Sequence, residues 1–181
     1  MSGAKSKRDE IVETAEKLIR TAGYNGFSTR EVANSVGIKA ASVHYHFPSK
    51  ADLVVAVTER YSNNFLAYLG NPDTLTISPL SHYISAFRQA LIVDKKLCLC
   101  LVLSTESGGI PDVVNSHSKA FFEKNILWLC QALVASEDIS SHQAEQKAVL
   151  ITAALEGALV LSNSLDNIDT FESIAKSLLE L

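Results

Sequence analysis

The stretch that decides the fold runs from Ser28 to Leu53, "STREVANSVGIKAASVHYHFPSKADL". Ser28 and Glu31 stand three apart, the spacing of a capping box, in which a hydroxyl and a carboxylate each satisfy a backbone N–H at a helix start. They open a short helix through Arg30, Val32 and Ala33 to about Val36. Gly37 stops it, because a residue with free access to positive φ lets the chain turn sharply, and a third helix begins almost at once near Lys39 or Ala40. Ser49 and Asp52 repeat the capping spacing and open a fourth helix with Leu53, Val54, Val57, Tyr61 and Leu66 on its inner face.

Outward from this stretch, helical periodicity continues and no convincing strand interrupts it. Upstream, Ile11, Val12, Ala15, Leu18, Ile19 and Ala22 recur on one helix face, and Gly23 ends that helix. Downstream, "GNPDTLTISP" (Gly70 to Pro79) is a turn-rich linker, followed by an amphipathic helix carrying Leu80, Tyr83, Ile84, Phe87 and Leu91. "LCLCLVLSTE" is apolar on every side until Thr105 and predicts a central, fully buried helix. Gly108 and Gly109 end it, and Pro111 suits the first turn of the next helix, which carries Val113, Val114, His117, Phe121, Trp128, Cys130 and Leu133 to about Ala135. A long helix from about His142 to Ser164 and a last one from Thr170 complete an all-α reading.

Two short helices separated by a glycine turn, with Ala33 small enough for close contact and Ile38 and Val43 as anchors, have the geometry of a helix-turn-helix. The third helix is then the reader. Its first residues, Lys39, Ala40, Ala41 and Ser42, are short apart from one cation, so the helix start can approach base edges in the major groove of double-stranded DNA. His44, Tyr45 and His46 at its far end can donate to phosphates, which fixes register without reading sequence.

At these residues the chain resembles the TetR-type (TetR/AcrR) bacterial transcriptional regulators. The resemblance covers about residues 8 to 55 and rests on the order of a capped helix, an Ala-x-x-x-Gly turn, a small-residue reader helix, a Tyr-x-His-Phe variant and Ser-Lys-x-x-Leu. It implies nine helices, with a helix-turn-helix DNA-binding domain at 1–50 and a helical ligand-binding and dimerisation domain at 51–181. It also implies DNA contacts from Ser28, Thr29, Arg30, Lys39, Ala40, Ala41, Ser42, His44, Tyr45 and Lys50, with Lys50 as a phosphate anchor and Phe47 as a core wedge. Many members place tyrosine where this chain has His44, so that phosphate contact falls to His44, is shared with Tyr45, or is missing.

Charge agrees with this division. The chain has a formal net charge of -4, yet its first 60 residues are net basic, with Lys5, Lys7 and Arg8 concentrated in a polar arm, a pointer to a polyanion. With 47% hydrophobic residues and three cysteines, and with neither a leader nor an apolar run near the roughly 20 residues of a membrane helix, a soluble, cytoplasmic protein is expected.

The helix from 142 to 164 turns apolar nearly all round after Ala148, while Ala153, Ala154 and Gly157 keep its backbone accessible. Burying two faces suggests a second subunit, and the resemblance implies a four-helix homodimer bundle made from it and the helix at 112 to 135, with Val149, Ala153, Ala154, Gly157 and Leu161 at the interface. Tyr61, Phe65, Tyr83, Phe87, Cys98, His117, Phe121 and Trp128 could line an apolar pocket for a small-molecule inducer that releases a near-palindromic operator. Alternatively, Cys98, expected in the first turn of its helix just after Lys95 and Lys96, could act as a thiol sensor. Cys98 and Cys100 point roughly 200° apart on a helix, which disfavours a mutual disulfide or one shared metal, and Cys130 reads as core. No catalytic motif, cofactor loop or clustered metal-ligand pattern is present in the sequence, so a regulator is favoured over an enzyme; a helical ligand-binding protein without DNA function is the remaining alternative.

Overall fold

The computed structural model describes residues 5–75, 77–92 and 96–180. Among these, nine α-helices and two short 3-10 turns make up all the regular structure: α1 (Lys7–Ala22), α2 (Thr29–Val36), α3 (Ala40–His46), α4 (Lys50–Leu69), α5 (Pro79–Ile92), α6 (Leu99–Thr105), α7 (Asp112–Ser136), α8 (Ser141–Ser164) and α9 (Ile168–Leu179), with the turns at Pro72–Thr74 and Ser107–Gly109. The all-α expectation is met. Residues pack as two compact units, Met1–Ser62 with Leu99–Lys119, and Asn63–Cys98 with Ala120–Leu181. These units do not follow a single cut at residue 50.

In the first unit, α1 starts where the Ser6 hydroxyl accepts the Asp9 N–H at 3.2 Å. It turns Ile11, Val12, Ala15 and Ile19 inward. The helix ends at Gly23, at φ 75° and ψ -176°, where the chain leaves helical geometry in a conformation essentially restricted to glycine. Both capping boxes are present: Ser28 with Glu31 on α2, and Ser49 with Asp52 on α4, where the Asp52 carboxylate accepts the Ser49 N–H at 2.9 Å. Gly37 adopts φ 74°, ψ 35°, the left-handed conformation that the sharp turn between α2 and α3 requires. Val32, Ala33, Val43 and Phe47 close over Ile11, Ala15 and Ile19, and the core is completed by Leu99, Leu103, Ile110 and Val114 from far along the chain. Each fully buried Leu, Ile or Val contributes roughly 1.5–3 kcal/mol relative to an exposed one.

In the second unit α8 packs against α5 and α9. Ala144, Ala148, Ile151, Leu155 and Leu159 form its buried stripe, and Phe171, Ala175 and Leu178 face inward from α9. Arg88 on α5 donates through Nε and Nη2 to the two carboxylate oxygens of Glu172 on α9 at 2.6 and 2.7 Å, a fork-to-fork pair that fixes the two helices in register. By length and composition α8 is apolar enough to cross a membrane. A core helix has the same properties, and 44% of that apolar window is buried.

The segment "LCLCLVLSTE" departs from expectation. The helix it forms is only seven residues, and Leu101 and Val102 stay half-buried, so it is neither long nor enclosed all round. Cys98 lies just before the helix instead of in its first turn, and is buried at 2% exposure. Lys95, invoked for its charge, lies outside the described residues. Cys130 is half-buried and not a core residue, its thiol directed at the Ser141 carbonyl at 3.9 Å.

Candidate nucleic-acid interface

The local sequence builds the reader helix with one side fixed and the other free. Val43, fully buried, and Phe47, 3% exposed, hold α3 to the core, and the Arg8 guanidinium caps the Phe47 ring at 5.1 Å. The opposite side presents Lys39, Ala40, Ala41, Ser42, His44 and Tyr45, all exposed, with Tyr45 at 85%. Tyr45 is the most exposed large hydrophobic side chain among the described residues. Lys7 of α1 borders the same face, along a shallow groove with Ile38, Ala41, Ser42, Tyr45 and His46. Arg30 is exposed on α2 and Thr29 half-buried, while the Ser28 hydroxyl accepts the Glu31 N–H at 3.2 Å and so serves first as a cap.

Lys50 stands differently from the expected phosphate anchor. Its ammonium donates to the Phe27 carbonyl at 2.6 Å and lies 4.6 and 4.5 Å from the ring centroids of Tyr24 and Phe27. Burial pushes its pKa down, against the attraction of Glu106 and Glu31. A carboxylate completes this arrangement. Glu106, just after α6, accepts the Tyr24 and Asn25 N–H groups at 2.9 and 3.0 Å and the Asn25 side-chain amide at 2.7 Å. The turn between α1 and α2 is therefore held from two directions, its carbonyl by a cation on α4 and its amides by an anion beside α6. Gly23 leaves the space this needs, since a Cβ there would lie 1.7 Å from a Glu106 carboxylate oxygen. Neither role was visible in the sequence, because the partners of Glu106 lie 82 and 81 residues away.

The expected pocket residues divide. Phe65, Tyr83, Phe87, Phe121 and Trp128 form one aromatic group in the second unit, with Phe65 edge-on to Tyr83, Phe87 and Phe121 at centroid distances of 6.3, 5.6 and 5.5 Å. Tyr83 stacks on Trp128 at 5.9 Å, and Trp128 donates its indole N–H to the Gly70 carbonyl at 2.7 Å. Cys98 belongs to this unit. Tyr61 and His117 do not: they lie in the first unit, with Tyr61 under the Arg20 guanidinium at 5.7 Å and the two His117 ring nitrogens at the Val113 carbonyl and Glu59. Glu156, missed by the sequence reading, is buried with a pKa raised to about 7 by desolvation, against a smaller lowering from the Cys98 thiol. Cys98, buried in the same unit, faces this carboxyl.

A buried-anchor, exposed-face helix after a left-handed glycine turn, carried on an all-helical body, defines a helix-turn-helix DNA-binding regulator. Residues 11–57 match the family described as bacterial regulatory proteins, tetR family, and residues 77–177 match the LmrA/YxaF-like transcriptional regulator C-terminal domain. The chain belongs to the TetR family of transcriptional regulators. A TetR transcriptional regulator from Legionella pneumophila has a similar structure (TM-score 0.91, 28% identity, 98% of both chains), as does a TetR-family regulator from Agrobacterium tumefaciens (TM-score 0.86, 28% identity, 96% of both chains). The chain is also 27% identical over 114 residues to IcaR of Staphylococcus epidermidis, a negative transcriptional regulator of the biofilm operon icaADBC, a match spanning 62% of this chain and 59% of that protein. The match to IcaR of Staphylococcus aureus is 32% over 83 residues, 44% of this chain and 45% of the relative.

Proposed function

We propose that the chain is a homodimeric repressor that reads a near-palindromic operator with α3 and leaves it when a small molecule binds within the second unit. The observation that carries the DNA reading is the free face of α3, where Lys39, Ser42, His44 and Tyr45 are exposed while Val43 and Phe47 fix the helix. Repression is the reading that the negative regulators among its relatives support. A cytoplasmic bacterial location follows from that role.

Anisotropy titration against genomic fragments over a salt series tests this. One preferred fragment and a steep salt slope support it; salt-independent or absent binding removes it. Lys39→Ala is expected to relax preference at one base position by roughly 1–3 kcal/mol while leaving random DNA nearly unaffected. Lys50→Ala should weaken both DNAs together, through loosening of the turn at Phe27, and should lower the denaturation midpoint as well. An unchanged midpoint would return Lys50 to a phosphate role.

Dimerisation rests on α8. Val149 and Leu161 are 47% and 49% exposed, Ala153 is exposed, and Ala154 and Gly157 are half-buried, so an apolar stripe stands uncovered along the helix. A side chain at Gly157 would meet nothing within 4 Å in the single chain. Gly157→Arg is thus accommodated by the monomer but would leave an unpaired charge in an apolar subunit contact. Sedimentation of this variant is expected to show a folded helical monomer with greatly weakened operator binding; a dimeric variant would exclude the stripe as the interface.

A further inference from the structure

The far end of α3 carries two imidazoles on either side of Tyr45, His44 exposed and His46 half-buried. Both stand in the last turn of the helix. The His46 ring meets Tyr45 edge-on at a centroid distance of 5.3 Å and lines the groove that holds Lys7, Ser42 and Tyr45. Among the described residues no carboxylate lines that groove. The acidic side chains in the first turns of α1, α2 and α4 are engaged elsewhere: Glu10 with Lys7 at 2.7 Å, Asp9 with the Ser6 hydroxyl at 2.6 Å, Glu31 with the Ser28 N–H at 2.7 Å and Asp52 with the Ser49 N–H at 2.9 Å. The charged side chains that do border this end of α3 are cations, Lys7 along the groove and Arg8 over the Phe47 ring.

An imidazole is the side chain whose ordinary pKa, about 6.5, lets it gain or lose a charge near neutral pH. A tyrosine hydroxyl donates the same neutral hydrogen bond to a phosphate at any pH in this range, whereas an imidazole donates as a neutral group at high pH and as a cation at low pH. The cationic bond is roughly twice as strong. Since the groove offers these rings cations and no carboxylate, DNA phosphate is the anion that stabilises their protonated form, and it does so only in the complex. Linkage then fixes the sign: a group that holds its proton more tightly in the complex takes one up on association. We propose that operator binding takes up protons at His44 and His46, so that the chain holds DNA more tightly as pH falls through the neutral range. The DNA contact itself rests on the reading of α3 given above; the added claim is that association charges the contact. Histidine in place of tyrosine at position 44 then makes a constant phosphate contact into a proton-dependent one.

Anisotropy titration of the full chain against its preferred genomic fragment, at fixed salt between about pH 8 and pH 6, reads this linkage. A phosphate that raises one imidazole by about one pH unit gives roughly sixfold tighter binding at pH 6 than at pH 8, and about fortyfold for one such contact in each half-site of a dimer. Calorimetry near pH 7 in buffers of different ionisation enthalpy measures the uptake itself, about half a proton per histidine. The slope of log affinity against log salt is expected to steepen from pH 8 to pH 6, because each new cation displaces a counterion. His44→Tyr is expected to remove about half of the pH rise and of the uptake, and the double variant with His46→Gln nearly all of both. Groups elsewhere in the chain are common to the variants and cancel in the comparison. A flat affinity between pH 8 and pH 6, no proton uptake by wild type, or an uptake unchanged in the double variant would each overturn the proposal. If the double variant no longer binds, wild-type uptake and its salt slope decide alone. Binding with a flat pH profile leaves the reading of α3 standing without the protons; no binding at any pH removes both.

Discussion

Replacing Glu156 by glutamine is expected to stabilise the ligand-free protein relative to wild type by about 3 kcal/mol more near pH 8 than near pH 4. The native carboxyl has its pKa raised to about 7 by burial, whereas in the unfolded chain it titrates in the ordinary range near 4.3. Below that range both states hold the proton and the residue is neutral to stability. As pH rises from about 4.5 toward 7 the unfolded chain releases its proton first, so unfolding is favoured, and above about 7 the full cost of a buried charge is present. Glutamine keeps the size of the side chain and carries no titration, so any cost of its buried amide is the same at every pH. Urea midpoints of both proteins at fixed protomer concentration across this pH range give the difference directly. A difference independent of pH would mean that the carboxyl is solvated or paired in solution.

The second large effect concerns the turn between α1 and α2. Glu106→Ala is expected to cost about 2 kcal/mol, because it leaves the Tyr24 amide and its neighbours without their charged acceptor in a partly buried setting. Gly23→Ala should cost as much or more: it forces a side chain into φ 75°, ψ -176° and places a Cβ 1.7 Å from the same carboxylate. The two penalties should not add. With the carboxylate gone, only the backbone strain at residue 23 remains, so the double variant is expected to be less damaged than the sum of the singles by about 1 kcal/mol or more. Simple additivity in chemical denaturation would show that Glu106 does not occupy the space Gly23 leaves. Operator affinity should fall in parallel, since the turn sets where α2, and with it α3, begins.

What could be read in advance follows from how far each signal travels along the chain. Ser28 with Glu31, Ser49 with Asp52, and Gly37 act over three or four residues, and all three produced the features their local chemistry demands. The inward faces of α1 and α5 were likewise legible from helical spacing. Glu106 was not, because nothing in "LSTE" says that its partners are amides at Tyr24 and Asn25. The charge of Lys50 was evident but not its direction, which is decided by the Phe27 carbonyl and two rings brought together only by folding. Similarly, Tyr61 and His117 have the residue types of a pocket wall, yet their helices α4 and α7 run through both units, and these positions fall in the first. Composition also misjudged α6, since an apolar run specifies burial without specifying how much of it is helix.

The core beneath the reader helix is finished by Leu99, Leu103, Ile110 and Val114. During synthesis these side chains emerge long after the helix-turn-helix itself, so a ribosome that has made only the first 60 residues has released the DNA-reading motif without its floor. Such a nascent segment would be expected to stay loosely folded and silent toward DNA until residues up to about 119 have followed. A recombinant fragment ending near residue 62 should show the same incompleteness, and supplying the later helix in trans as a peptide should restore part of its cooperativity.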